Sequence, residues 1–453
     1  MVEIKKNQEY EVEIIDNGFE GEGIARINGK VIFVPGAIKG EKVRIKILKV
    51  TTSCCYAKIL EIIEKSEFRR NPDCETFSKC GGCSLRHVEY EKTMEMKKNS
   101  VESTLKKALG REIKIDEVID MENPVNYRNK LQYPIGLDEN GKMVMGVFAE
   151  RSHRIISTNC CKIQNELSQQ IANDLFEFCK ENEISAYNEK TQKGILRHFV
   201  IRYGKKTNEV MITIVINENK IPKQAEMVKY ITNKYSEIKT IVKNLNNKNT
   251  NVILGNKCET IYGEGYIYDY LGDKKFKISP LSFYQVNPIQ TEKLYSKAVE
   301  YAELQGNETI FDLYCGIGTI GIFASDKVGK LFGIETIPQA IEDAKQNAKL
   351  NNIENAEFFV GDVEKTLPEF IKERNIEPDV VFVDPPRKGC DKKAIETLLK
   401  LEPKRIVYVS CNPATLGRDL KIFEEKYEIK KLAICDMFPF TSHCEAIISL
   451  KLK

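Results

Sequence analysis

The run Phe311-Asp-Leu-Tyr-Cys-Gly-Ile-Gly318 decides the fold, because it joins a short apolar strand to a glycine-containing turn. Gly316 and Gly318 let the backbone turn tightly and approach a ligand at the N-terminus of the next helix. With Gly321 they also match the dinucleotide-binding fingerprint, which is a weak signal on its own. The run therefore predicts a small-molecule site at the carboxyl end of a strand.

On both sides of this turn, from about residue 290 onward, short apolar runs alternate with helical stretches. The predicted strands are Thr309–Phe311, Lys330–Ile334, Ala356–Val360, Val380–Val383 and Arg405–Val409. Such alternation predicts a mostly parallel, doubly wound sheet. Two last strands, near Lys430–Ile434 and Glu445–Leu452, have a short connection and are predicted to pair antiparallel.

Acidic residues stand at the predicted strand ends, where the ligand would bind. Asp312 precedes the glycines and could hold a positively charged amino acid, and Glu335 ends the second strand, where a carboxylate can accept both ribose hydroxyls. Asp362 ends the third strand and would lie near an adenine. S-adenosylmethionine has an ammonium, a sulfonium and no phosphate, so the acidic pattern favours it over NAD. Glu335 is expected for both cofactors and does not separate them.

The fourth and fifth predicted strands end in residues suited to nucleophilic catalysis. In Val383-Asp384-Pro385-Pro386-Arg387 the prolines stiffen the loop and fix where Asp384 points. The fifth strand ends in Ser410-Cys411-Asn-Pro413, which places a cysteine beside the cofactor crevice. A lone cysteine there is more often a packing residue, so its neighbours decide its interpretation.

Methylation of carbon 5 of a uracil requires a thiolate, a base and a methyl donor in one pocket. Attack of the thiolate on carbon 6 makes carbon 5 nucleophilic, and a base must later remove the proton from carbon 5 so that the cysteine can leave. Glu445, at the start of the last strand, is the candidate base, and His443 is an alternative. Without that role, Glu445 would be a surface carboxylate and His443 a structural residue next to a turn.

Residues 1 to about 65 predict a small all-β unit. Asn28-Gly29 between two apolar runs is a strong hairpin signal. Short strands with turn signals favour a five-stranded barrel of the OB type, a common RNA-binding scaffold. A row of cations on the polar side of Val43–Leu48 either contacts RNA or forms an ordinary solvated face: Lys42, Arg44, Lys46 and Lys49. A basic helix is predicted over 91–109, and mixed strands and helices over 124–270.

Length, charge and composition limit the number of domains and the class of protein. A chain of 453 residues suggests about two to four domains. The net charge of +3 neither demands nor excludes nucleic acid. No stretch approaches the roughly 18 apolar residues of a membrane span, and the N-terminus lacks a signal-peptide core. We therefore expect a cytoplasmic protein without a membrane partner, whose 14 cysteines do not form a disulfide framework.

Three of the cysteines stand in one glycine-containing loop, with the spacing Cys74-x5-Cys80-x2-Cys83. This spacing is typical of a metal or iron–sulfur site. A four-cysteine site needs one more ligand, and Cys160-Cys161 is the nearest candidate pair. Spacing does not separate zinc from iron–sulfur, and reduced thiols without a metal are the remaining alternative.

Five motifs in order give the chain a family resemblance. They are Phe283-Tyr-Gln285-Val-Asn287, Asp312-Leu-Tyr-Cys-Gly-Ile-Gly318, Asp384-Pro-Pro-Arg387, Ser410-Cys-Asn-Pro-Ala-Thr415 and Asp436-Met-Phe-Pro-Phe-Thr441 with Glu445. Together they resemble the RNA uracil-5-methyltransferases. The likeness is closest to the bacterial 23S ribosomal RNA branch, which has an N-terminal TRAM domain and an iron–sulfur cluster. It spans nearly the whole chain.

The resemblance implies site residues. It makes Cys411 the nucleophile and Glu445 the base. It assigns S-adenosylmethionine contacts to Gln285, Tyr314, Glu335, Asp384, Asp362 and Thr319, and it lets Asp384 also touch the uracil. It implies a [4Fe–4S] cluster on Cys74, Cys80, Cys83 and Cys161, because Cys161-Lys-Ile163 fits the family's context for the fourth ligand better than Cys160 does.

The resulting prediction is a multidomain protein. Residues 1–64 form an OB-like TRAM RNA-binding domain, 65–275 a central α+β domain with the iron–sulfur loop, and 276–453 an α/β, Rossmann-like class I methyltransferase domain. Through the resemblance, the expected partner of this monomer is 23S ribosomal RNA, with transfer RNA as the second candidate. The alternatives from other classes are an NAD-dependent iron–sulfur oxidoreductase and a non-catalytic RNA-binding protein.

Overall fold

The N-terminal unit is a six-stranded sheet. The structure, a computed structural model, describes residues 4–453. The strands are β1 Glu9–Glu13, β2 Asp16–Asn17, β3 Gly23–Ile27, β4 Lys30–Val34, β5 Lys42–Val50 and β6 Cys54–Glu64, in the spatial order β1-β5-β6-β4-β3-β2. The chain leaving β1 returns to β3, where Ile15 N donates to Ile24 O at 2.8 Å. The two edges of the sheet are therefore joined through one continuous segment.

Local sequence explains most of this unit. Asn28 and Gly29 have φ values of 50° and 80°, the left-handed pair that a tight two-residue hairpin requires, and they join β3 to β4 as predicted. Alternate residues of β5 fill the interior, among them Val43, Ile45 and Ile47. The expectation of five strands was wrong by one, because the two-residue β2 is too short to leave a period-two pattern in the sequence.

A seven-stranded sheet lies at the centre of the molecule. It follows a helix and a short strand, α1 Tyr90–Leu109 and β7 Glu117–Ile119. Its own elements are β8 Lys130–Leu137, β9 Met143–Phe148, β10 Ile155–Ser157, α2 Glu166–Glu181, β11 Leu196–Tyr203, β12 Val210–Ile216, α3 Gln224–Lys234, β13 Ile238–Leu245 and β14 Lys257–Tyr262. The strand order is β10-β9-β8-β11-β12-β13-β14. Apolar residues of α2 and α3 share one core with the sheet.

The C-terminal part is a sheet covered by helices on both faces. Its elements are β15 Ile267–Leu271, β16 Lys274–Ile278, α4 Pro288–Ala302, β17 Thr309–Leu313, α5 Thr319–Ala324, β18 Lys330–Glu335, α6 Pro338–Leu350, β19 Ala356–Val360, α7 Val363–Arg374, β20 Val380–Val383, α8 Lys392–Leu401, β21 Arg405–Ser410, α9 Pro413–Phe423, β22 Tyr427–Cys435 and β23 Glu445–Leu452. The strand order is β19-β18-β17-β20-β21-β23-β22-β7. All predicted strands form, and β22 and β23 pair antiparallel as expected.

Successive residues of the central strands point alternately into two separate cores, one on each face of the sheet. Ile310 and Phe382 point to one face, with α4, α5 and α6, whereas Phe311 and Val383 point to the other, with α1, α7, α8 and α9. The carboxyl ends of β17, β18, β19, β20 and β21 therefore meet along one edge. This is the edge at which doubly wound sheets bind their ligands.

Two segments of the predicted central domain pack with the C-terminal sheet. Strand β7 pairs with the edge strand β22, and α1 contributes Val101 and Leu105 to the core beneath α9. The hairpin β15–β16, which a boundary after residue 275 would cut, lies wholly in the core of α4, α5 and α6. An edge strand and an uncovered sheet face both need a partner, and segments distant in the chain supply it here. Within residues 4–453, no helix is long and apolar enough to cross a membrane.

Candidate active site

The turn after β17 leaves open space for a ligand. Tyr314, Gly316 and Gly318 all have left-handed φ values, of 63°, 56° and 81°. A Cβ placed on Gly316 would meet no atom within 4 Å, so the backbone there faces free space. A Cβ on Gly321 would lie 2.7 Å from Leu331, so only glycine lets α5 pack this close to β18. The turn thus has the geometry predicted from its glycines.

Asp312 lies buried directly behind this turn. Its Oδ2 accepts a hydrogen bond from Gly321 N at 2.9 Å, whereas its buried Oδ1 has no partner. Burial raises the pKa of Asp312 to about 7, and the charges of Asp384 and Glu335 act in the same direction. A buried carboxylate with an unused oxygen among other acids attracts a cation.

Glu335 and Asp362 occupy the two neighbouring strand ends. The carboxylate of Glu335 accepts from Gly316 N at 3.2 Å and from Ile337 N at 3.0 Å, so it is held against the glycine turn. Gly361 N donates to Glu335 O at 2.9 Å, which brings the third strand end next to the second. Asp362 faces solvent and pairs with Lys365 at 2.9 Å. Both acids therefore lie along the crevice, with Asp362 at its outer end.

Gln285 and Thr319 meet at a tyrosine that the sequence did not single out. The hydroxyl of Tyr295 lies 3.0 Å from Thr319 Oγ1, and the Gln285 side chain also interacts with it. Tyr295 is buried on α4, so its spacing in the sequence looked like that of an ordinary core position. The loop carrying Gln285 is in turn held by the central sheet, since Asn129 donates from Nδ2 to Gln285 O and from N to Val286 O.

Tyr314 contributes its backbone to the turn, and its ring points elsewhere. The ring packs against the core of α7, α8 and α9, and its phenol lies near Cys390 and Glu364. The crevice side of Tyr314 is thus its left-handed backbone, one residue after β17. The structure does not group this phenol with Gln285, Tyr295 and Thr319.

Cys411 is partly exposed at the end of β21. Ser410 Oγ accepts from Asn412 N at 3.2 Å and Asn412 Oδ1 caps α9, so the chain turns sharply at the thiol. Strand β23 pairs antiparallel with β21 through Ser410 and Ala446, which places Glu445 beside Cys411. Burial raises the pKa of Cys411 to about 11, and the nearby charges of Glu445 and Asp384 add to the increase.

Glu445 is almost fully buried, and its carboxyl makes no hydrogen bond within residues 4–453. Burial raises the pKa of Glu445 well above its usual value, and Asp384 raises it further. A carboxylate in such surroundings holds a proton strongly and is therefore an effective base. His443 precedes β23, and burial lowers the pKa of its imidazole, with the charges of Arg387 and Lys97 acting in the same direction and that of Glu20 opposing them. The strand register thus puts Glu445, and not His443, next to the thiol.

Asp384 and Arg387 complete the group around Cys411. Burial raises the pKa of Asp384 to about 7. Arg387 is exposed, and its positive charge opposes the increase in pKa at both Cys411 and Glu445. Its carbonyl accepts from Asn412 Nδ2 at 3.2 Å, which ties the Pro-Pro loop to the start of α9. Arg387 belongs to the motif Asp384-Pro-Pro-Arg387, in which the sequence predicted roles for Asp384 and the prolines and none for the arginine.

The predicted metal-binding cysteines surround a second cavity, of about 350 Å³, between the cysteine loop and the central sheet. Its lining includes Cys74, Cys80, Cys83 and Cys161, whereas Cys160 is exposed and lies outside it. Burial raises the pKa of Cys83 to about 12, and the other three thiols act in the same direction. Across residues 4–453, no three or more His, Cys, Asp or Glu side chains stand close enough together to hold a single metal ion.

Cations without acidic partners also line this cavity. Within the described part of the chain, Arg128 and Lys130 form no ion pair, and Arg128 Nε is buried without a hydrogen bond. Burial lowers the pKa of Lys130 to about 7, with Arg202 and Arg128 adding to the decrease. Arg86 is paired with Asp73, yet its Nη1 is also buried and unpaired. An anionic occupant would compensate these charges.

Comparison with known proteins gives the family. Residues 89–453 match the family model described as tRNA (Uracil-5-)-methyltransferase, and residues 4–60 match the TRAM domain. The chain belongs to the RNA uracil-5-methyltransferases. An uncharacterised RNA methyltransferase of Clostridium acetobutylicum is 48% identical to it, over 100% of this chain and 98% of that protein. One from Bacillus cereus is 43% identical, over 98% and 97%.

A solved structure agrees with this assignment. The tRNA (uracil-54, C5)-methyltransferase of Pyrococcus abyssi, in complex with S-adenosyl-L-homocysteine, superposes with a TM-score of 0.78 at 28% identity, over 98% of this chain and 100% of that one. The methyltransferase is therefore an S-adenosylmethionine-dependent enzyme with a TRAM domain and a class I methyltransferase fold. The oxidoreductase and the non-catalytic RNA-binding protein, the two alternatives from other classes, are wrong.

Proposed function

We propose that the methyltransferase acts on carbon 5 of a uracil in 23S ribosomal RNA, through a covalent bond between Cys411 and carbon 6. The observation that carries the mechanism is the pairing of β21 with β23, which places Cys411 beside Glu445 at the edge where the acidic strand ends meet. This pairing joins a nucleophile and a base across two strands that lie far apart in the sequence. Packing alone does not account for a buried glutamate whose carboxyl makes no hydrogen bond within residues 4–453.

The crevice suits a cationic cofactor. Asp312, Asp384 and Glu335 lie within electrostatic reach of one another, and Asp312 Oδ1 is buried without a partner. Gln285, Thr319 and Asp362 stand along the same edge. These residues would hold S-adenosylmethionine, which when bound supplies an electrophilic methyl group on a sulfonium. The acids compensate its positive charges, and the open space before Gly316 leaves room for it.

The steps at the uracil follow from the two residues. The Cys411 thiol loses its proton to water, and its sulfur bonds to carbon 6, so that the electrons of the 5,6 double bond move toward the carbonyl at carbon 4. Carbon 5 then bonds to the methyl group as the bond between that methyl group and the sulfonium sulfur breaks, and S-adenosylhomocysteine leaves. Glu445 takes the remaining proton from carbon 5, the double bond re-forms, and the carbon–sulfur bond breaks to release Cys411 as a thiolate.

The thiol needs activation, because its pKa of about 11 keeps it protonated at neutral pH. Two negative neighbours, Glu445 and Asp384, oppose ionisation, and Arg387 favours it. Any positive charge brought close to this group would lower the thiol pKa. Arg387 is therefore the residue of this chain that assists formation of the thiolate.

Ribosomal RNA is the proposed substrate, through the resemblance of the motifs, the TRAM domain and the cysteine loop to the 23S-specific branch. Transfer RNA is the second candidate, because the P. abyssi enzyme whose structure matches over nearly the whole chain is named for uracil 54 of transfer RNA. The two substrates share the same chemistry at Cys411, so only the identity of the RNA separates them.

Mapping 5-methyluridine by mass spectrometry in RNA from a deletion strain tests the proposal. We expect one or more sites in 23S ribosomal RNA to lose the modification, and a plasmid copy to restore them while a Cys411→Ala copy does not. Loss confined to transfer RNA would establish the second candidate. Unchanged 5-methyluridine in both RNAs would contradict the proposed function.

We also propose a [4Fe–4S] cluster on Cys74, Cys80, Cys83 and Cys161. Its four cysteines bind different irons, so their sulfurs need not converge on one point as the ligands of a single zinc ion do. The unpaired cations Arg128 and Lys130 fit a cluster whose four thiolates leave it negatively charged. Methyl transfer needs no redox step, so the role is structural. Brown protein that contains iron after anaerobic purification would support the cluster, and colourless, iron-free protein would contradict it.

A further inference from the structure

The segment that leads into Glu445 is a turn whose internal hydrogen bonds include Thr441 N to Phe438 O at 3.1 Å and His443 N to Thr441 Oγ1 at 3.2 Å. Residues 436–444, here called the base turn, connect β22 to β23 and end immediately before Glu445. Its central residue, Phe440, has a φ of 62°, a left-handed conformation that a bulky residue rarely adopts. Such a conformation persists only where surrounding contacts hold it. The base turn therefore depends on what packs against it.

Three residues that pack against the base turn, Ser84, Leu85 and Arg86, come directly after Cys83, and a fourth, Arg70, precedes Cys74. Leu85 N donates to Phe440 O at 2.9 Å, and Ser442 N donates to Ser84 Oγ at 3.1 Å. Two guanidinium groups lie over the Phe440 ring, Arg86 at 4.6 Å and Arg70 at 4.8 Å from its centre. Four contacts, three from residues 84–86 and one from Arg70, thus fall on Phe440 and Ser442.

The two guanidinium groups are themselves fixed by the cysteine loop. Arg86 is fully buried and makes a bidentate pair with Asp73, at 2.6 and 2.9 Å. Arg70 donates from Nε to Arg86 O at 3.0 Å. Asp73 and Arg86 flank the three cysteines of the loop in sequence, and Arg86 also lines the cysteine cavity. The geometry of the cysteine cavity and the position of the two guanidinium groups over the Phe440 ring are therefore coupled.

Helix α1 anchors the start of the base turn, and its Tyr90 also packs against the Phe440 ring, with 5.6 Å between the ring centres. Asp436 Oδ1 pairs with buried Lys97 at 2.6 Å, and its Oδ2 accepts from the Tyr90 hydroxyl at 2.8 Å. Lys97 also donates to Phe438 O at 3.1 Å. With that end held by α1, the contacts at Phe440 and Ser442 set the path of the last residues before Glu445.

We infer that Ser84, Leu85, Arg86 and Arg70 are positioning residues for Glu445, and that they act on the release of Cys411 from the methylated uracil. The inference rests on the proposed function. Cys411 directly follows β21 and Asp384 directly follows β20, both outside the base turn. Formation of the Cys411 adduct and methylation of carbon 5 therefore do not depend on the contacts of Phe440 and Ser442. Removal of the carbon 5 proton does, because Glu445 directly follows the turn.

Phe440→Leu tests this directly, because it removes the ring held by both arginines and keeps the backbone bond to Leu85. Single-turnover experiments with a uracil-containing RNA substrate would follow two quantities: methyl transferred from labelled S-adenosylmethionine, and the fraction of protein in an SDS-stable adduct with RNA. We expect methyl transfer to stay close to the wild-type rate and decay of the adduct to slow about tenfold or more.

Phe199→Leu is the matched control, since Phe199 is also fully buried but lies in the central sheet. It should lower the melting temperature without changing the ratio of adduct decay to methyl transfer. Iron content, measured for each variant, separates a displaced base from a damaged cysteine cavity. Ser84→Ala is a milder second variant at an exposed position and should slow adduct decay in the same direction.

The outcomes are distinct. If Phe440→Leu and Ser84→Ala both release adduct at the wild-type rate while Glu445→Gln accumulates it, the inference is wrong and the proposed function stands. If the wild-type enzyme forms no adduct and transfers no methyl group to uracil, the proposed function itself fails. Equal slowing of methyl transfer and adduct decay, with iron retained, would show a general loss of structure and would also overturn the inference.

Discussion

The strand-end crevice and the cysteine cavity are charged in opposite senses. The crevice gathers Asp312, Asp384, Glu335 and Glu445, with Arg387 as the cation near its thiol. The cavity gathers thiols with Arg86, Arg128 and Lys130. In both regions burial shifts pKa values toward the neutral forms of the side chains. The charged side chains of each region therefore lack enough opposite charge among their neighbours. The net charge of each region therefore indicates that its ligand carries the opposite charge.

The two regions also differ in how they are assembled. The crevice comes from consecutive strand ends of one sheet, so motifs in the sequence locate most of it. The cavity takes its lining from the cysteine loop, from β8 and from the segment after β10, and its walls meet only in the folded chain. We therefore assign bond formation to the crevice and a structural role to the cavity.

The largest expected effect separates these roles. Cys411→Ala should lower methyl transfer by about 10⁴-fold or more, because no other group in the crevice can attack carbon 6. Cys179→Ala removes a buried thiol from the central core and should retain turnover. Initial rates with labelled S-adenosylmethionine check both. Substantial methylation by Cys411→Ala would reject the nucleophile.

The next prediction concerns the cavity and the doubled cysteine. Cys161→Ser should lose most of the iron found in the wild-type protein, because Cys161 lines the cavity. Cys160→Ser should keep it, because Cys160 points to solvent. Iron assays and visible absorbance of anaerobically purified protein compare the pair. Loss of iron from Cys160→Ser alone would reverse the assignment of the fourth ligand.

A smaller effect tests whether the crevice is negatively charged. Asp312 and Asp384 have pKa values raised to about 7, so they lose their protons as the pH rises through 7. The crevice becomes more negative, and its affinity for S-adenosylmethionine should rise about tenfold between pH 6 and pH 8. S-adenosylhomocysteine lacks the sulfonium charge and should show a weaker trend. Calorimetric titration measures both, and an affinity for S-adenosylmethionine that falls with pH would contradict this account.

The smallest expected effect concerns the tyrosine between Gln285 and Thr319. Tyr295→Phe removes one hydroxyl that contacts both side chains and should raise KM for S-adenosylmethionine about fivefold, the cost of one hydrogen bond. The value of kcat should not change, since the Tyr295 hydroxyl makes no hydrogen bond to Cys411, Glu445 or Asp384 within residues 4–453. Steady-state kinetics provide the check, and a large loss of kcat at unchanged KM would place Tyr295 in the chemistry instead.

Local sequence was enough to predict the strands of the C-terminal sheet and the Asn28-Gly29 hairpin, because each depends on the pattern of a few adjacent residues. It also put forward Cys411 and Glu445, which the pairing of β21 with β23 brings side by side, and their catalytic roles stay predictions. It could not show that β7 joins the C-terminal sheet or that β15–β16 packs beneath α4. Those placements depend on which face or edge is left uncovered by elements far away in the chain.

The residues that sequence reasoning missed share one property. Tyr295, Arg387 and Phe440 act through neighbours that are distant in sequence, and each alone looks ordinary: a core tyrosine, a surface arginine and a buried phenylalanine. Only the folded chain shows that Tyr295 joins Gln285 to Thr319, or that two arginines lie over the Phe440 ring. No spacing rule would have found these contacts.

The central claim is that Cys411 and Glu445 act on the same uracil in successive steps. Glu445→Gln should therefore stop the reaction after methyl transfer and leave the RNA bound to Cys411. Intact-mass analysis after incubation with RNA and S-adenosylmethionine should show protein plus RNA plus one methyl group, and the double variant with Cys411→Ala should show unmodified protein. Free methylated RNA released at the wild-type rate by Glu445→Gln, or an adduct that persists without Cys411, would contradict the account.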